Sequence, residues 1–346
     1  MTARGAKPPL SAIFGCAGPR LEASERAFFR DADPAGFILF ARNVESPSQV
    51  RTLVAELRDS SGRPESLVLI DQEGGRVARL GPPHWRAAPA AGRLGVLAGR
   101  DLQRGRRAAW LNARLLAADL AALGITVDCM PVLDLRMPAA HDIVGDRSYG
   151  GDVETVSVLG RGASEGLLDG GVLPVIKHIP GHGRAMADSH QELPVVRVDR
   201  ETLEASDFEP FRRLAEMPLA MTAHIVYEAI DPARPATIAP TVVNEIIRSS
   251  IGFDGLLMTD DLSMKALGGT IHARTAAALA AGCDVVLHCN AKRGEMEQVA
   301  AAARPLDERG LRRYLGAVAA IRAPGPFDIE AARAELAGLM GDDNGV

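Results

Sequence analysis

Eight short runs of aliphatic and β-branched residues recur through the whole chain, at residues 12–16, 36–40, 66–71, 125–133, 172–178, 219–224, 255–260 and 284–288. Most neighbouring runs are separated by a segment of helical period. After the second run, Ser46 is placed to cap a helix, with Pro47 at its first turn and Gln49 three residues on. Val50, Leu53, Val54 and Leu57 then form an i, i+3, i+4, i+7 stripe that must meet a core. Nearly continuous apolar strands read as strands covered on both faces, which is the pattern of a parallel sheet. Repeated about eight times with intervening helices, it predicts an α/β fold closed as a single TIM-type (β/α)8 barrel; an open doubly wound sheet is the alternative. With no internal repeat and no long Pro/Gly-rich linker, one domain is expected over residues 1–340, followed by a short polar tail at 341–346.

The 47% hydrophobic and 24% charged content is that of an ordinary globular protein. The net charge of −5 gives no electrostatic reason to expect nucleic acid as a partner. No apolar run reaches the roughly 18 residues of a spanning helix, and the N-terminal segment is too weakly apolar for a secretory leader. Cys16, Cys129, Cys283 and Cys289 show no CxxC spacing and read as buried structural thiols, in keeping with a reducing compartment. Cytoplasmic localisation is therefore expected, with no membrane association.

In a barrel, the chemistry lies at the carboxyl ends of the strands. Here those ends are rich in ionisable groups: Asp71-Gln72-Glu73-Gly74-Gly75-Arg76, Lys177-His178-Ile179-Pro180-Gly181-His182-Gly183, Thr222-Ala223-His224 and Thr259-Asp260-Asp261. Each has an ordinary explanation singly, such as a turn, a cap or a satisfied core histidine. Four together at one rim point to a ligand, because burying ionisable groups costs free energy unless they bind something. His178, His182 and His190 with Asp188 raise the possibility of zinc. Pro180, Gly181 and Gly183 break any helical spacing of these ligands, so no metal and no cofactor are expected. Asp188 and His190, two apart, fit an imidazole oriented by a carboxylate for proton transfer. Asp260 and Asp261 point to opposite sides of a strand, and either could be a nucleophile facing the mouth.

These segments, in this order and with Gly145-Asp146-Arg147-Ser148-Tyr149 and Met221-Thr222-Ala223-His224 between them, resemble glycoside hydrolase family 3. The resemblance runs from about Phe37 to His288 and is strongest to the single-domain bacterial β-N-acetylglucosaminidases that recycle peptidoglycan. It implies that Asp260 is the nucleophile, His190 the acid/base and Asp188 its orienting partner. It also implies that Asp71, Arg79, Arg147, Lys177 and His178 hold sugar hydroxyls. Two departures stand out: Ile179, where the family usually has Phe, and Asp146, where relatives often carry Glu.

The function so implied is retaining removal of terminal β-1,4-linked GlcNAc from peptidoglycan fragments such as GlcNAc-anhydroMurNAc, with or without peptide. The covalent intermediate would form on Asp260, and the process served would be cell-wall recycling, with its links to cell shape and division. The partner expected is this carbohydrate (muropeptide) substrate, bound by a monomer. The alternatives are a β-glucosidase-type member of the family and a GlcNAc phosphorylase.

Overall fold

The computed structural model describes residues 7–137, 144–185 and 193–341. Eight parallel strands close into a barrel: β1 (Leu10–Gly15), β2 (Pro34–Leu39), β3 (Leu67–Ile70), β4 (Val127–Asp128), β5 (Leu173–Ile179), β6 (Leu219–Thr222), β7 (Leu256–Asp261) and β8 (Val285–His288). Each pairs with its sequence neighbours, and β8 returns to β1 through Ala12 opposite Val286. All eight expected runs are therefore barrel strands. A separate two-stranded patch pairs Val195–Val196 with Val226–Tyr227.

Alternation along the strands divides the core into two layers. Ile13, Ile38, Leu69, Val127, Val175, Met221, Met258 and Leu287 fill the barrel interior. Phe14, Phe37, Val68, Ile70, Ile176, Ala220, Leu257 and Val286 face the surrounding helices. The stripe on helix α1 (Pro47–Ser61) joins this outer layer through Val50, Leu53, Val54 and Leu57, all buried. Ser46 Oγ accepts from the Gln49 amide, as its position predicts, but the Gln49 side chain turns to the Glu45 amide and to the Asn43 and Pro19 carbonyls.

Two features differ from the expectation. The fourth strand is regular only at Val127–Asp128, because Pro131 has no amide proton to give the ladder. The chain nevertheless stays beside β5, with the Leu133 amide on the Lys177 carbonyl at 2.7 Å. In addition, helix α2 (Glu308–Ala320) seals the amino-terminal end of the barrel, where Leu306, Tyr314 and Ala317 join the interior layer. Among the described residues no helix is long and apolar enough to cross a membrane. All four cysteines are free thiols, and burial pushes Cys16 and Cys283 up to about 12.

The loop after β5 lies against the segment after β4, and Gly183 marks the closest approach. A Cβ there would collide with the backbone of Leu135. Gly183→Ala should therefore destabilise the fold by about 1–3 kcal/mol, the usual cost of forcing extra volume into a packed site. Urea unfolding checks this; wild-type stability would mean that the loop yields freely.

Candidate active site

Leu173, Val175 and Lys177 form the inner series of β5, so the last of them carries its ammonium group up the barrel axis to the carboxyl end. There Lys177 Nζ meets Glu73 Oε1 at 2.6 Å and Asp71 Oδ1 at 3.1 Å. The turn Gly145–Arg147 brings in Arg147, which grips Glu73 with both arms, at 2.7 and 2.8 Å. Arg79 pairs with the other oxygen of Asp71 at 3.0 Å. Among the described residues, three cations and two carboxylates thus share one network with a formal charge of +1. The turn that sets Asp71 and Glu73 on this rim uses Gly74 and Gly75, at φ 99° and 55°, a region open to glycine at little cost.

Burial alone would raise the Glu73 carboxyl, but Arg147 and Lys177 overcome it and hold Glu73 far below the usual carboxylate range. Burial likewise opposes the charge on Lys177, and Glu73 and Asp71 more than restore it. Glu73 and Lys177 are therefore both ionised across the working range. Arg79 Nε is buried with no hydrogen-bond partner among the described residues. The Arg79 guanidinium lies 5.3 Å from the Phe40 ring centroid.

His178 is oriented by a residue that the motif reading passed over. Asp134, wholly buried, takes His178 Nδ1 at 2.7 Å and the amides of His178 and His182 at 3.1 and 2.6 Å. An Nδ1–H donated to a carboxylate leaves Nε2 of a neutral ring as the acceptor. Burial tends to raise Asp134, and His178 and His182 hold it below its ordinary value. His182 packs edge-on against His178, with centroids 5.6 Å apart. Burial lowers its pKa to about 4 despite Asp134 and Asp260, so the ring is neutral above that.

On β7 the inner series runs Leu256, Met258, Asp260. Asp260 Oδ1 accepts from the Asp261 amide at 2.7 Å. Asp261 points elsewhere: its carboxylate takes the Ser263 amide and hydroxyl at 3.0 and 2.5 Å and the Cys289 amide at 3.2 Å. His224 is the satisfied core histidine of the simpler reading, bonded to Thr237 Oγ1 at 2.7 Å and to the Asp261 carbonyl at 3.1 Å. Its burial lowers its pKa.

The remaining expected positions divide as follows. Asp188 and His190 lie outside the described residues. Asp146 pairs with Arg76 at 2.9 Å on the partly exposed rim, leaving its neighbour Arg147 to reach Glu73. Ile179 is fully buried in the outer apolar layer, so its change from Phe falls in the packing between strand and helices. A cavity of about 1220 Å3 opens at the opposite end of the barrel, near Trp110 and Phe327. Arg312 and Arg313 on its wall are already paired with Asp254.

Residues 10–310 match the model of the glycosyl hydrolase family 3 N terminal domain. The chain belongs to glycosyl hydrolase family 3. As a family 3 member it is a glycosidase. It is 40% identical over 282 residues to a protein named beta-hexosaminidase from Alkalilimnicola ehrlichii, covering 80% of each chain. The structure of NagZ from Neisseria gonorrhoeae in complex with N-trifluoroacetyl-D-glucosamine is 33% identical, with a TM-score of 0.86, and the match covers 96% of this chain and 99% of that one. A family 3 beta-N-acetylglucosaminidase from Paenibacillus, 31% identical with a TM-score of 0.80, is longer. The match covers 94% of this chain and 61% of that chain.

Removing one partner of a buried ion pair strands the other, at about 3–5 kcal/mol. Glu73→Gln should lose stability on that scale in denaturant titrations at neutral pH. Because the folded-state pKa of Glu73 is depressed, its contribution is complete above the unfolded value of about 4.3 and fades as pH falls towards the folded one. The variant should therefore show a flatter acid limb than the wild type. An unchanged midpoint and an unchanged acid limb would mean that the network adds nothing to stability.

Proposed function

We propose that this chain is a retaining exo-β-N-acetylglucosaminidase that removes terminal β-1,4-linked GlcNAc from peptidoglycan fragments in the cytoplasm, as a step of cell-wall recycling. The observation that carries this reading is Asp260. It ends the inner series of β7 at the same rim as the Lys177 network, with one oxygen fixed by the next backbone amide. The names of the relatives at 31–40% identity, and the N-acylated glucosamine held by one of them, support the choice of sugar.

In this reading Asp71, Arg79, Arg147, Lys177 and His178 hold the hydroxyls of the terminal sugar. Carboxylate oxygens accept from them, and the guanidinium and ammonium groups donate to them. A carboxylate oxygen of Asp260 bonds to the anomeric carbon as the bond from that carbon to the aglycone oxygen breaks. His190 gives its proton to the departing oxygen. Its neutral imidazole then takes a proton from water, whose oxygen displaces Asp260 and restores the β configuration. Asp188 orients the imidazole. The places of His190 and Asp188 in this scheme rest on the family resemblance.

A sugar alkoxide needs a proton to depart, whereas a nitrophenolate needs little help. His190→Ala should therefore lose on the order of 10² to 10⁴ in rate on GlcNAc-anhydroMurNAc, and far less in glycosylation by an aryl β-GlcNAc. Equal losses on both substrates would place the proton shuttle elsewhere. Product analysis of the disaccharide digest with and without phosphate separates hydrolysis, which yields free GlcNAc in both, from phosphorolysis.

A further inference from the structure

The loop that carries Asp71, Glu73 and Arg79 is fastened by a residue outside the sugar pocket. Asp128 ends β4 as the only acid in an apolar run, and alternation turns it outward, between Val127 and Cys129 of the interior layer. Its side chain is fully buried. Oδ1 accepts from the Gln72 amide at 2.9 Å, and Oδ2 has no hydrogen-bond partner among the described residues. Gln72, also buried, then clamps the loop with its own side chain. Its Oε1 takes the amides of Arg79 and Leu80 at 2.8 and 2.9 Å, and its Nε2 donates to the Leu80 carbonyl at 2.9 Å. Arg79 is the residue whose guanidinium sits on Asp71 and whose buried Nε is unspent.

We infer that Asp128 is a positioning residue, which by holding the Gln72 amide seats the Asp71–Arg79 pair through the Gln72 side chain and so sets the affinity for the sugar. This deepens the proposed function and rests on its assignment of Asp71 and Arg79 to the sugar. An unpaired carboxylate oxygen in a dry layer favours the protonated form. The charged and titratable groups around it are Asp71 and Glu73 from the end of β3, Lys177 from β5, the adjacent Cys129, and Tyr149 from the loop after β4. Burial dominates, the Gln72 amide and Lys177 oppose it, and Asp71 and Glu73 add to it, so Asp128 is pushed up to about 8. The sign follows from the raised folded value. Stability from this group is complete below the ordinary carboxyl range and is lost as pH rises towards about 8.

The test compares wild type, Asp128→Asn and Gln72→Leu by KM for an aryl β-GlcNAc and by calorimetric Kd for GlcNAc, from about pH 6 to about pH 9. Asn keeps the acceptor for the Gln72 amide and cannot ionise, so it stands in for the neutral acid. Wild-type KM and Kd should rise on the order of tenfold as pH passes about 8, with kcat moving much less. Asp128→Asn should have flat KM and Kd over that range. Gln72→Leu should raise both at every pH. The inference is overturned if Asp128→Asn keeps the wild-type alkaline rise, if wild type shows no rise, or if Gln72→Leu binds as wild type does. A wild type that binds GlcNAc but turns over no glycoside would sink the hydrolase reading, while the Kd profile would still decide the role of Asp128. Failure to bind GlcNAc at any pH would overturn both.

Discussion

Lys177 cannot be buried alone. Taking an ammonium group out of water costs several kcal/mol even after relaxation, and attraction between ions offsets this only when the geometry is close and the remaining hydrogen bonds are met. Glu73 and Asp71 meet it at 2.6 and 3.1 Å, and each then recruits an arginine. The consequence is architectural. One contact ties the end of β5 to the loop after β3 and, through Arg147, to the turn at Gly145–Arg147. A rim held in this way presents fixed donors and acceptors.

The same economy governs the paired acids and the histidines. Asp261 is consumed by backbone amides and the Ser263 hydroxyl, which leaves Asp260 on the inner series of β7. His224 is consumed by Thr237 and the Asp261 carbonyl, His178 is turned by Asp134, and His182 is kept neutral by burial. Residue types that look alike in the sequence thus receive different tasks from their neighbours.

The strands were legible because burial on both faces writes a continuous apolar run, and the helix Pro47–Ser61 because its stripe and cap agree. The regular part of β4 was overestimated because Pro131 is apolar enough to continue the run and yet cannot join the ladder. Helix Glu308–Ala320 was not placed, since an amphipathic period says that one face is covered without saying which end of a barrel covers it. At the site, the endings of β3, β5 and β7 announced themselves. Asp134 carries the same signal, an acid closing an apolar stretch, but it stands one residue beyond the run at 125–133. Glu73 stood inside a recognised motif without a role, because only the fold brings Arg147 and Lys177 to it. Asp128 was invisible: a lone acid inside a strand tells nothing about its unpaired oxygen.

The proposed bond between Asp260 and the anomeric carbon is tested most directly by trapping. A 5-fluoro N-acetylglucosaminyl donor slows both displacements, so that a covalent intermediate accumulates; proteolysis and fragmentation of the labelled peptide then locate the sugar. One sugar per chain, attached to Asp260, is the expected result. Label on Asp261, or a peptide that remains unlabelled while the donor is consumed, would contradict it.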